Sequence, residues 1–157
     1  MDLYEILAKL NISYEEVSHP AVYTVEEAHA LGRMLEGMEC KNLFLRDGKK
    51  RRYYLASFPA QKTVDLKVLG QTLGVKGLSF ASPADLESLL GLLPGSVTPF
   101  GIIHDTENRV TVVLDSDFVG QKLLFHPNTN TKTISVSYDD LLRFIQDCGH
   151  AYLILSA

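Results

Sequence analysis

The stretch KNLFLRDGKKRRYYLASF, residues 41–58, constrains the fold most, because it sets two β-rich runs on either side of Asp47-Gly48. Asp-Gly between such runs is hairpin chemistry: glycine takes the unusual φ of a tight turn, and aromatic and branched residues suit a pleated, half-buried surface. The chain must therefore build a sheet around an antiparallel pair. Everything else has to pack on it.

The flanking segments carry their own punctuation. Asp2-Leu3-Tyr4-Glu5 has capping-box spacing, and Leu3, Ile6, Leu7 and Leu10 share a helical face that ends at Asn11. Residues 12–20, ISYEEVSHP, read as a strand stopped by Pro20. Thr24-Val25-Glu26-Glu27 is a second capping box, predicting a helix through Ala28, Ala30 and Leu31 towards Gly32. VDLKVLGQTLG reads as a helix closed by Gly74, LSFAS as a short strand, and Ser82-Pro83-Ala84-Asp85 as the start of a helix reaching Leu90. FGIIHD and RVTVVLD, on either side of Thr106-Glu107-Asn108, suggest two antiparallel strands. Strands follow over residues 122–126 and 133–136, then a helix capped at Ser137 and running over 141–148, then the strand AYLIL. Interspersed helices and antiparallel neighbours predict an α+β fold: a single domain, residues 1–157, with a mixed, curved, largely antiparallel sheet flanked by helices.

A chain of 157 residues can bury roughly two thirds of the surface it exposes when unfolded, so it needs no staple. Cys40 and Cys148 stand far apart and form no CxxC pattern, and are expected as reduced thiols. No apolar run approaches the roughly 20 residues of a membrane span, and the acidic, amphipathic start is unlike a secretory signal. The expectation is a cytoplasmic protein with no membrane partner. A net charge of -4 makes global attraction to nucleic acid weak, so any such binding must use a local patch. One exists: Arg46, Lys49, Lys50, Arg51 and Arg52 place five of the fifteen basic residues within seven positions of the hairpin. It reads as a solvated hairpin end or as a phosphate-contacting surface.

LLPGSVTPFGIIHD, residues 92–105, interrupts an apolar run with two glycines and two prolines. It is no GxSxG elbow, because Ser96 directly follows Gly95, and it has neither a Walker lysine nor a GxGxxG pattern. Two readings remain: a structural connection, or a loop whose successive N–H groups bind a carbonyl oxygen or oxyanion. Lys41, at an element boundary, reads as an exposed lysine or as a cation for a phosphate or ester. His126, before the polar run PNTNT, reads as a structural histidine or as a hydrogen-bond donor to substrate. No histidine pair has metal-ligand spacing, so neither a metal nor another cofactor is expected.

Five segments occur in a familiar order: HPAVYTVEEA, KNLFLRD, LSFASPADL, PGSVTPFGIIHD and LLFHPNTNTKTISVSYDDLLRF. Together they resemble the YbaK/ProX family of aminoacyl-tRNA editing domains over nearly the whole chain. The resemblance implies hydrolysis of the ester of mischarged tRNA, with alanine on proline tRNA as the expected substrate. Each methylene missing from an amino acid is worth only about 1 to 3 kcal/mol to a synthetase, hence a second, smaller sieve. The family's GXXXP loop falls on Gly95, Ser96, Val97, Thr98 and Pro99, its essential lysine on Lys41, the adjacent asparagine on Asn42, and its late-strand histidine on His126. The implied roles are catalysis at Lys41 and Gly95 and substrate binding at the others. Mischarged proline tRNA is the implied partner, with prolyl-tRNA synthetase as a second. Deacylation of tRNA mischarged with cysteine or serine, or a non-catalytic module binding aminoacyl-tRNA or a synthetase, are the alternatives.

Overall fold

The computed structural model describes residues 2–19 and 35–156. The helix expected from the capping box at Thr24 lies outside these residues. The others form a mixed sheet with helices on both faces. In chain order the elements are α1 (Leu3–Lys9), β1 (Glu15–Ser18), β2 (Met38–Arg46), β3 (Tyr53–Pro59), α2 (Leu66–Leu73), β4 (Ser79–Phe80) and α3 (Pro83–Leu90). A 3-10 helix (Pro99–His104), β5 (Val110–Asp115), a 3-10 turn (Ser116–Phe118), β6 (Lys122–Phe125), β7 (Lys132–Ser137), α4 (Tyr138–Asp147) and β8 (Tyr152–Leu155) complete it.

Spatially the strands run β1-β7-β6-β2-β3-β5-β8, with β4 added to β2. The hairpin pairs Lys41 with Phe58, Asn42 with Ser57 and Arg46 with Tyr53. Its turn is longer than a two-residue loop: Asp47 accepts the N–H groups of Arg51 at 2.8 Å and Arg52 at 3.2 Å, and Lys50 takes the positive φ. The β2–β3, β2–β4, β6–β7 and β1–β7 pairs are antiparallel. Contrary to the antiparallel expectation for neighbours, β2–β6, β3–β5 and β5–β8 are parallel. The reason is that helices α2 to α4 serve as crossovers, which local turn chemistry cannot reveal.

The caps act as their sequences suggest. Asp2, Asp65, Ser82 and Ser137 accept first-turn N–H groups, and Gly74 and Gly91 close α2 and α3 in the left-handed conformation. FGIIHD, expected as a strand, is instead most of the 3-10 helix. Thr98 caps it, Pro99 opens it, and Phe100, Gly101 and Ile102 are all buried; an apolar run buried on every side has no periodicity from which to tell helix from strand. Gly101 packs closely there: a Cβ would sit 2.7 Å from Leu92 Cδ1 and 3.3 Å from Leu90 Cβ, so Leu92 would have to shift.

Strand alternation divides the core in two. Phe44, Leu55, Val112 and Leu114 join the larger cluster, beneath Leu7 of α1, Leu90 of α3 and Phe144 of α4. Leu45, Tyr54, Ala56, Phe58 and Val113 face the other way, beneath Leu69 of α2. Each fully buried Leu or Phe contributes about 1.5–3 kcal/mol, so both faces of the central strands are fixed and a register slip would expose both clusters.

Candidate active site

Pairing of β2 with β6 stops at Glu39–Leu124, and pairing of β2 with β4 begins at Leu45–Phe80. Between them, residues 40–43 form an edge of β2 without a strand partner among the described residues. Lys41 and Asn42 lie on that open edge. Alternation turns them opposite ways: Asn42 joins Phe44 on the side of the larger core, and Lys41 joins Leu43 and Leu45 on the other.

Asn42 holds the GXXXP loop. Its Nδ2 donates to the Val97 carbonyl at 3.1 Å, and its Oδ1 accepts from Ser57 Oγ at 2.5 Å. Ser57 is fully buried on β3 and paired with Asn42 in register. The Val97 carbonyl and the Thr98 N–H belong to one peptide plane, and in a trans peptide they point in opposite directions. Binding that carbonyl therefore aims the Thr98 N–H away from Asn42.

Within the loop, the Ser96 N–H donates to the Leu93 carbonyl at 3.0 Å, while Thr98 Oγ1 accepts from the Phe100 N–H. The N–H groups of Gly95, Val97 and Thr98 have no acceptor among the described residues. Thr98 is fully buried and Ser96 nearly so, which removes both hydroxyls as exposed nucleophiles. Gly95 has φ 92, a conformation that strains any residue with a Cβ. Two of these three, on exposed Gly95 and half-buried Val97, can reach a ligand, whereas the Thr98 N–H is buried with its residue.

Lys41 reaches another cluster. Its ammonium donates to the Lys62 carbonyl. The Lys62 ammonium is itself engaged by Asp115 at 2.7 Å and Asp117 at 2.9 Å, and these bonds raise its pKa above the ordinary value against the opposing effect of burial. Asp115 is fully buried and also caps the Asp117 N–H at 2.8 Å. Lys62 is neutralised where it stands. Lys41 keeps two ammonium hydrogens beyond its bond to that carbonyl.

His126 directly follows β6, two residues past its last pair with β2, Glu39–Leu124. His126 Nδ1 lies 2.9 Å from the Lys132 carbonyl, to which only an N–H can donate. Burial holds its pKa below the ordinary value, aided by His19 across 6.1 Å and opposed by the Lys132 bond. In the neutral tautomer Nε2 is then an acceptor, where a donor was expected. Two residues on, Asn128 Nδ2 donates to the Phe100 carbonyl at 3.3 Å, tying this loop to the end of the GXXXP segment.

The GXXXP loop and Asn42 thus lie on one face of β2 and Lys41 on the other, with His126 just beyond the end of the neighbouring β6. Arg46 parts from the basic tetrad: it turns to the face of Phe44 and Tyr53, while Lys49, Arg51 and Arg52 border a separate groove. Burial pushes the Cys148 thiol up to about 11 and the Cys40 thiol higher, so neither supplies a thiolate near neutral pH. The sequence reading missed Ser57, Lys62, Asp115 and Asn128. Ser57 did leave a signal, a lone hydroxyl in the apolar strand YYLASF; the others depend on contacts made across the chain.

The site combines a glycine-bearing loop, an asparagine that binds its Val97 carbonyl, and a lysine on the opposite face of the same strand. The sequence profile of the aminoacyl-tRNA editing domain matches residues 19–144. The prolyl-tRNA editing protein ProX of Acetoanaerobium sticklandii is 38% identical over 147 residues, 93% of this chain and 90% of that protein. Prolyl-tRNA synthetase associated domain-containing protein 1 of Bos taurus is 38% identical across 98% of this chain and 92% of its own. The multifunctional Ser/Thr-tRNA deacylase ProXp-y of Escherichia coli is 25% identical across 92% and 86%. A solved structure assigned as a candidate trans-editing enzyme for prolyl tRNA synthetase superposes with TM-score 0.69 at 24% identity, covering 92% of this chain and 87% of that one, and shares the fold. This chain belongs to the aminoacyl-tRNA editing domain family. No described helix is long and apolar enough to cross a membrane.

Proposed function

We propose that the protein is a trans-editing aminoacyl-tRNA deacylase whose substrate is Ala-tRNA(Pro). The observation that carries the mechanism is the Ser57–Asn42–Val97 relay, which holds the loop in place by its Val97 carbonyl. The N–H groups of Gly95 and Val97, so positioned, form a donor pair for the ester carbonyl. Donors fixed before reaction, aimed where negative charge develops, can each contribute about 3 to 4 kcal/mol. The open edge of β2 lets the loop on one face and Lys41 on the other serve the same substrate.

Lys41 anchors the terminal adenosine or its phosphate. His126 Nε2 accepts a hydrogen bond from the substrate's amino or hydroxyl groups. A water attacks the carbonyl carbon, the bond to the ribose oxygen breaks, and that oxygen takes the proton the water gives up. Alanine and uncharged tRNA leave. The 2'-hydroxyl of the terminal ribose helps orient the water, as the family resemblance implies. Proline tRNA reaches the site from prolyl-tRNA synthetase, whose own pocket cannot strongly exclude the smaller amino acid.

Incubating the purified protein with proline tRNA charged with Ala, Cys, Ser or Pro tests this directly. Rapid loss of the alanyl ester with the prolyl ester spared is expected. Preference for the seryl ester, the chemistry in the name of the Escherichia coli relative, would reassign the specificity, and loss of none would leave a binding module.

The relay makes its own prediction. Asn42→Ala should lower kcat about a hundredfold, at the lower end for loss of one aimed donor, with KM within about threefold because tRNA contacts are untouched. Ser57→Ala should act in the same direction but less, since Asn42 keeps its donor. Single-turnover rates and KM, measured beside thermal melts, decide; a rise in KM with kcat unchanged would make Asn42 a simple binding residue.

A further inference from the structure

The basic tetrad stands apart from the residues of the site, yet it is built into a rigid feature. The hairpin turn docks on the loop after α2: the Gly48 N–H donates to the Lys76 carbonyl at 2.9 Å. The two backbones touch, for a Cβ on Gly77 would lie 3.0 Å from Gly48 Cα, and one on Gly48 would lie 3.3 Å from the Lys76 oxygen. Inside the turn, Asp47 holds the N–H groups of Arg51 and Arg52. Burial works against its charge, but these bonds and the two guanidinium groups hold its carboxyl below the usual carboxylate range. The backbone, not the basic side chains, consumes this acid.

Lys49, Arg51, Arg52 and Lys76 consequently line a groove of about 280 Å³, with Lys50 beside it in the turn. Those five cations face one carboxylate, whereas the other ten basic residues of the chain share it with eighteen acidic ones. No aromatic side chain lines the groove, so it lacks the stacking platform with which proteins hold bases. Its chemistry suits a phosphodiester backbone. The groove lies on the face of the sheet that also carries Lys41. Five strand steps carry β2 from Lys41 to Arg46, where the hairpin turn begins, about 17 Å at the rise of a strand, a span of roughly five stacked nucleotides at ~3.4 Å each.

We infer that the groove formed by Lys49, Arg51, Arg52 and Lys76 binds phosphates of the tRNA acceptor arm beyond the terminal nucleotides held at the site. It thereby measures the distance from the charged end to the stem. This rests on the tRNA-deacylase reading of the site, and the test is binding, so that it stands apart from turnover.

Uncharged proline tRNA and a trinucleotide of its 3' end are titrated against wild type and the triple variant Lys49→Gln, Arg51→Gln, Lys76→Gln, by anisotropy across a salt series. The turn's backbone bonds do not use these side chains, and a matching melting temperature checks the fold. Affinity for whole tRNA should fall tenfold or more, with the slope of log affinity against log salt reduced by about 2 to 3, while trinucleotide affinity stays within about twofold. Arg46→Gln, on the opposite face, should leave tRNA affinity within about twofold. Unchanged affinity and slope for whole tRNA would overturn the inference even if wild type deacylates normally. Equal losses for trinucleotide and tRNA would overturn it too, by placing the groove at the terminal nucleotides. A wild type that cleaves no ester but shows the expected salt behaviour would overturn the deacylase reading and support the groove.

Discussion

Lys41→Ala is expected to reduce deacylation of Ala-tRNA(Pro) by about a thousandfold, equivalent to about 4 kcal/mol of lost transition-state binding. The side chain makes one bond, to the Lys62 carbonyl, and the neighbouring carboxylates are already satisfied by Lys62. Removing Lys41 therefore leaves no buried charge unpaired, and stability should change by less than about 1 kcal/mol. The loss should appear in kcat/KM under single turnover, with the melting curve superimposable on wild type. Lys41→Arg should rescue poorly, because a planar guanidinium cannot keep the carbonyl bond and present a compact charge from the same place. Activity within threefold of wild type in Lys41→Ala would remove this lysine from the mechanism and leave the loop to act alone.

Asp105→Ala should produce the largest loss of stability, about 3–5 kcal/mol. Asp105 is almost fully buried just after the 3-10 helix. Its carboxylate accepts the Arg109 N–H at 3.1 Å, the Val110 N–H at 2.8 Å and His150 Nε2 at 2.9 Å. Alanine would leave three donors without a partner where little water reaches. For a domain of this size the melting temperature should fall by about 10 °C. Urea titration gives the free energy directly; a change below about 1 kcal/mol would mean that water enters and replaces the carboxylate. Asp105→Asn, which keeps one acceptor oxygen, should lose less.

The elements most legible in the sequence were those whose signals are local. The caps at Asp2, Ser82 and Ser137, the left-handed Gly74 and the hairpin at Asp47-Gly48 each follow from residues a few positions apart. Parallel pairing of β3 with β5 was not legible, because it is decided by where α2 and α3 pack rather than by any turn. The run FGIIHD misled for the opposite reason, being apolar on all sides. At the site, Gly95 and Asn42 were named from pattern, but what Asn42 does could not be: its partner Val97 is 55 residues away. The donor expected at His126 was reversed by one backbone carbonyl, that of Lys132, which chooses the tautomer. The split between Lys41 and Asn42 follows from simple alternation once β2 is known to be continuous through both.

The bond between Asp105 and His150 also has a consequence for the order in which the protein can mature on the ribosome. The two residues are 45 positions apart, and β8, which follows His150, pairs in parallel with β5. A nascent chain that has just exposed Gly95 to His104 has the whole GXXXP segment but no partner to anchor its far end. At synthesis rates of about 5–20 residues per second, those 45 positions take roughly 2 to 9 seconds. Until His150 emerges, the Asp105 carboxylate has only the Arg109 and Val110 N–H groups as partners. Editing competence would then arrive late in translation, as one event with closure of the sheet, and a chain stalled short of residue 150 would carry every residue of the site without the frame that aims them.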